Sequence, residues 1–158
     1  MHKLNFTIDI KASPAQVCQL MLDDPTYRLW TAPFHPGSCF SGNWQTGSKM
    51  YFMAIENGQQ HGMVSRIVDH VPGQHVFIEH LGILKDGAEV LSGEEVDPWA
   101  GAREDYYFSA TAEGCHLKVQ MDSQQDWADF FQQTWPKALQ LLKSLAEGQP
   151  ARTPPSDQ

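Results

Sequence analysis

Seven histidines and three cysteines are the residues of this chain with the most versatile chemistry, and their spacing decides how much of it is usable. Cys18, Cys39 and Cys115 form no CxxC or Cys/His pattern, so they read as reduced thiols. His70 and His75 face each other across the turn Val71-Pro72-Gly73-Gln74. A zinc site needs three or four ligands, and strand alternation puts Asp69 on the opposite face, so the two histidines read as a solvated turn pair and no metal is expected. His80 is the stronger polar candidate. Pairing places it beside Ser65 on an inward face, where an imidazole could orient a ligand oxygen or act as a general base near neutral pH. Tyr106 can present a hydroxyl to the same interior or to a backbone carbonyl. A half-buried histidine satisfied by Ser65 and water is the commoner situation, so no catalytic residue is assigned. GxGxxG, a phosphate loop, GxSxG and HExxH are all absent, which leaves nucleotide and hydrolase chemistry without support.

The elements that must position these groups follow from periodicity. Leu4, Phe6, Ile8 and Ile10 alternate with polar residues as a strand with one wet face. Ser13-Pro14-Ala15-Gln16 starts a short helix that buries Val17, Leu20 and Met21, with Ser13 as cap and Pro14 in the first turn. Asp24-Pro25 opens a second short helix carrying Tyr27 and Trp30. An antiparallel meander comes next. A hairpin centred on Asn57-Gly58 pairs Phe52 with Met63, Tyr51 with Val64 and Met50 with Ser65. The Val71–Gln74 turn pairs His70 with His75, Val68 with Phe77, Arg66 with Glu79 and Ser65 with His80. The Glu113-Gly114 turn pairs Tyr106 with Met121, Phe108 with Val119 and Ala110 with Leu117. The Arg66–Glu79 pair is cheaper at a wet surface, so the face with Met50, Phe52, Met63, Ser65, Ile67, Ile78 and His80 points inward.

Trp127, Phe131, Trp135, Ala138, Leu142 and Leu145 then draw an apolar stripe along one long helix. Trp127 and Phe131 are expected to pack on the concave face of the sheet. Pro136 predicts a kink or break between residues 132 and 136, because proline removes a helical hydrogen bond and clashes with the preceding turn. Gly148 is a plausible C-cap, residues 1–147 form one domain, and residues 148–158 read as a disordered tail.

Composition bounds the partners. With 41% hydrophobic and 19% charged residues the chain has an ordinary globular balance. The net charge of −8 repels phosphate backbones, so nucleic acid is not expected. Seven acids and two bases crowd between Lys85 and Asp105, a segment expected to be a mobile loop. The absence of a signal-like or membrane-spanning apolar run points to a cytoplasmic protein without membrane insertion.

The order strand, two short helices, meander and long final helix resembles the START/Bet v1-like (SRPBCC) helix-grip superfamily. It is most similar to the branch containing the C-terminal domain of the activator of Hsp90 ATPase. The resemblance is carried by Ile8-x-Ile10-x-x-Ser13-Pro14-x-x-Val17, by Trp30 with Phe34-x-Pro36-Gly37-Ser38, and by Gly47-Ser48-Lys49-Met50. His61-Gly62-Met63-Val64, Pro72 through Phe77, and Trp135-x-x-x-Leu139-x-x-Leu142-Lys143 with Glu147 complete it, over roughly residues 4–147. The acidic segment 85–105 and Pro136 depart from that pattern. The resemblance implies an α+β fold whose curved antiparallel sheet grips the last helix around an apolar cavity. The implied lining is Trp30, Phe34, Met50, Phe52, Met63, Ile78, Tyr106, Phe108, Met121, Trp127 and Phe131, joined by His80 as the polar group. Binding of an apolar small molecule without a cofactor is the function expected, and the fold leaves room for a homodimer. A cyclase-, aromatase- or dehydratase-like enzyme using Tyr106 and His80, and an Hsp90-co-chaperone-like interaction protein, are the alternatives.

Overall fold

The chain runs β1 (His2–Ile10), α1 (Pro14–Leu22), α2 (Asp24–Trp30), β2 (Ser38–Gly42), β3 (Lys49–Glu56), β4 (Gln59–Val71), β5 (His75–Lys85), β6 (Ala88–Val90), β7 (Arg103–Thr111), β8 (Gly114–Ser123) and α3 (Gln125–Ala146). This computed structural model describes residues 1–148. The strands pair antiparallel in the order β1-β8-β7-β5-β4-β3-β2, with β6 added to β5. The curved sheet grips α3, which packs on β1, and α1 and α2 pack on α3 and on the sheet at β7, β8 and β2. This is an α+β helix-grip fold. Residues 149–158, most of the expected disordered tail, lie outside the described residues. Among the described residues no helix is long and apolar enough to cross a membrane.

Local chemistry explains the boundaries. Ser13 Oγ accepts from Gln16 N at 3.1 Å and Pro14 occupies the first turn, which opens α1. Asn57 and Gly58 both take positive φ, the condition for a tight hairpin turn with the strands' own twist. The α3 stripe buries Trp135, Ala138, Leu139 and Leu142 against β1 and the two short helices. Trp135 is the hub. Its ring lies 5.0 Å from Phe34, 5.8 Å from Trp30, 6.0 Å from Phe6 and 6.2 Å from Tyr106.

Five expectations need correction. The helix does not break at Pro136. α3 is one element of 22 residues, and the buried neighbours Thr134, Trp135, Ala138 and Leu139 anchor it on both sides of the proline. That packing outweighs a local cost of about 3 kcal/mol.

The β4–β5 register is right at Met50–Ser65–His80 and Arg66–Glu79, but slips toward the turn. Val68 is an extra residue on β4, so Asp69 pairs with Phe77, His70 with Val76 and Val71 with His75.

The β7–β8 turn is centred one residue earlier than expected, so each partner shifts by two: Tyr106 pairs with Val119, Phe108 with Leu117 and Ala110 with Cys115. A slip of two preserves the faces, so the inward set survives.

The acidic segment is a built element rather than a mobile loop. It forms β6, buries Val96 completely, and ties back through His80 N to Ala102 O at 2.8 Å and Gly101 N to His80 O at 2.9 Å. Gly82 permits this crossing, since a Cβ there would stand 2.2 Å from Val90 O.

Trp127 is not packed on the concave face. It is 54% exposed, at the edge of the cavity described below.

Candidate ligand-binding cavity

Between the inner sheet face, α2 and the first half of α3 lies a cavity of about 530 Å3. Of the residues expected around it, Trp30, Phe34, Phe52, Met63, His80, Tyr106, Met121, Trp127 and Phe131 line the space. Met50, Ile78 and Phe108 do not. They are buried in the packed core cluster. Tyr27, Thr31, Ile83, Trp99, Glu104 and Trp135 also line it and were not foreseen. Ile83 reaches the interior through a second bulge. Leu81 is an extra residue on β5, so Ser65 pairs with His80 but Met63 pairs with Ile83, and the alternation flips in between.

Ser65, His80, Glu104 and Tyr106 form one hydrogen-bonded cluster at the cavity wall. Ser65 Oγ is 2.7 Å from His80 Nδ1, and His80 Nε2 is 3.3 Å from Glu104 Oε1. The Tyr106 hydroxyl donates to Glu104 Oε2. A carboxylate only accepts, so Nε2 carries the proton toward Glu104, and a neutral His80 accepts from Ser65 at Nδ1. Each member of the chain Ser65–His80–Glu104–Tyr106 then has a hydrogen-bond partner in it. Burial pushes the Tyr106 hydroxyl well above its usual value, with the Glu104 charge adding to it, and Tyr27 is raised by the same two causes. Both phenols are therefore held as donors. Ser65 is fully buried behind the imidazole, so its oxygen is not placed to attack a ligand. Glu104 was visible in the sequence as the residue two before Tyr106, which one strand alternation puts on the same face. Its position at the edge of the acidic segment concealed it.

The remaining histidines are engaged elsewhere. The Val68 bulge turns Asp69 toward His75, whose Nε2 lies 2.7 Å from Asp69 Oδ2, while His70 Nδ1 lies 2.9 Å from Trp44 O. His75 also stacks on Phe77 at 4.2 Å. Among the described residues no three His, Cys, Asp or Glu side chains gather as a metal site. All three cysteines are buried, and burial raises the Cys18 and Cys115 thiols away from the reactive range.

No family model and no curated protein matches this sequence. Solved structures do match its shape. The Aha1 dimer from Colwellia psychrerythraea superposes with a TM-score of 0.68 at 19% identity, covering 93% of this chain and 97% of that one. A protein from Chromobacterium violaceum gives 0.66 at 18% identity, over 93% of this chain and 99% of its own. DynU16, a protein of the dynemicin biosynthetic locus, gives 0.63 at 16% identity, with 95% of this chain matching 49% of that one. The chain has the helix-grip fold of Aha1-like proteins.

Proposed function

We propose that the cavity binds a hydrophobic small molecule, lipid-like or aromatic. The observation that carries this reading is an opening of about 530 Å3 lined largely by aromatic and methionine side chains, with a hydrogen-bonded polar cluster of His80, Glu104 and Tyr106 on its wall. Apolar burial would supply affinity and Glu104, His80 and Tyr106 would fix orientation. Trp30, Phe34, Phe52, Met63, Met121 and Phe131 are the proposed apolar contacts. Methionine adapts its shape, so Met63 and Met121 suit a flat or irregular ligand. DynU16, from a biosynthetic locus, supports a small-molecule role by likeness of fold. Native mass spectrometry after gentle purification from the source cell tests the proposal. A retained apolar mass that dissociates at low activation is expected. A bare chain that also ignores added hydrophobic probes overturns it.

One observation favours a second reading. His80 and Tyr106 meet at one carboxylate, as proton transfer on a bound carbonyl compound would require. That activity would appear as accelerated deuterium exchange at the α-carbon of an aromatic ketone, lost in Glu104→Gln. Self-association is also part of the proposal, by likeness to the Colwellia dimer. Trp127 and Phe130, exposed side by side with ring centroids 5.9 Å apart, are the surface offered for it.

A further inference from the structure

Apart from the amino group of Met1 at its rim, the cavity wall carries carboxylates and imidazoles and no lysine or arginine. Glu104 lines the space with a fifth of its side chain exposed. Among the described residues its one ion-pair partner is His80. Imidazoles could in principle supply positive charge, but each one at the wall already faces a carboxylate. His35 lies 3.2 Å from Glu56, His61 lies 3.5 Å from Asp86, and His80 is the partner of Glu104 itself. The other lining carboxylate, Asp122, is neutralised from outside the cavity by Lys3 at 3.0 Å and by the Arg103 backbone N–H at 2.9 Å. Glu104 is therefore the lining carboxylate that no lysine or arginine compensates.

A carboxylate offers about four acceptor positions, of which His80 and Tyr106 occupy two. The positions left over suit a donor brought in by the ligand. The same cavity is lined by Trp30, Trp99, Trp135, Tyr27 and Phe52, and aromatic rings attract cations. The whole chain, at −8, adds a field of the same sign.

Resting on the binding reading above, we infer that the occupant is a hydrophobic amine, its ammonium docked on Glu104 and its apolar body among the aromatic rings. A fatty acid or other anionic amphiphile would bring a like charge to the same carboxylate and find no lysine or arginine side chain to receive it.

Calorimetric titration of the full chain at pH 7 with decylamine, 1-decanol and decanoate separates the possibilities, because the three share one tail and differ in the charge of the head. Decylamine should bind about tenfold tighter than decanol, the gain of one charge-assisted hydrogen bond, and decanoate should bind more weakly than either. In Glu104→Gln the advantage of the amine over the alcohol should disappear, the two binding within about twofold of each other. Decanoate binding as tightly as decylamine to the wild-type protein overturns the inference, and that ranking decides the matter even if the variant fails to fold. Equal weakening of all three by Glu104→Gln also overturns it, since that is the mark of a purely structural role. If decanol binds but the amine has no advantage, the cavity reading stands and this inference fails. If none of the three binds, both fail.

Discussion

Tyr106 donates its hydroxyl to Glu104 from two positions along the same strand, so one β-alternation brings a buried phenol and a carboxylate to a single point of the cavity wall. Burial, then the Glu104 charge, holds that phenol protonated. Tyr106→Phe removes the donor and leaves the carboxylate with His80 alone. The loss should be roughly 1.5–3 kcal/mol, the usual size for a hydrogen bond to a charged group, read as a lower urea midpoint. An unchanged midpoint would mean that Glu104 is satisfied without Tyr106.

The two tryptophans of α3 should behave oppositely. Trp135 is buried at the centre of the aromatic cluster, and Trp135→Ala should cost about 3–5 kcal/mol. Trp127 is largely exposed, and Trp127→Ala should cost less than about 1 kcal/mol. Thermal melts of the pair check this, and similar shifts in both would place Trp127 in the core after all.

The segment between β6 and β7 should be as ordered as the sheet beside it. The amides of His80 and Gly101 form the cross-link described above and should exchange slowly with solvent. Val96→Ala should cost roughly 2 kcal/mol, from about 0.8 kcal/mol per buried carbon plus the cavity left behind. Rapid exchange at Gly101 would return the segment to the class of mobile loops.

Acid should loosen the end of the grip. Glu147 Oε2 accepts from the Lys143 ammonium at 2.7 Å and from the Lys11 backbone N–H at 2.9 Å, which hold its carboxyl below the usual range. Glu89 is lowered in the same way, by the Tyr51 hydroxyl and then Lys49. A depressed carboxylate adds stability that is complete above its unfolded pKa, about 4.3, and disappears as the pH falls through the folded value. Tm should therefore fall below about pH 4.3, and Glu147→Gln should both lower Tm at pH 7 and flatten that fall. An acid profile parallel to wild type would show that the Lys143 contact is idle. Asp105, raised by burial, acts in the opposite sense.

Much of the frame was legible because the local signals agree with the global packing. Asn57-Gly58 specified one hairpin to the residue, and Ser13-Pro14 specified a helix start. The misplaced details share a cause. Val68 and Leu81 are bulged residues with ordinary strand chemistry, so nothing in their type announces that the alternation reverses there. As a result Asp69 joined His75, and Ile83 entered the cavity unannounced. The helical stripe ranked Trp127 with Trp135 because periodicity gives a face but not the point at which the sheet stops covering it. Glu104 was counted with the surface acids because its neighbours in sequence are charged, while its neighbours in space are His80 and Tyr106.

The central claim is that the space between sheet and α3 takes up an apolar molecule. Titration with the neutral dye N-phenyl-1-naphthylamine tests it most directly, with Phe52→Arg as the control. Phe52 lines the cavity 6.3 Å from Tyr27 and 6.5 Å from His80, so a guanidinium there would fill and charge the site. Saturable fluorescence enhancement in wild type, lost in Phe52→Arg with the circular dichroism spectrum intact, is the expected result. No enhancement in wild type, or enhancement undiminished in the folded variant, would contradict the account.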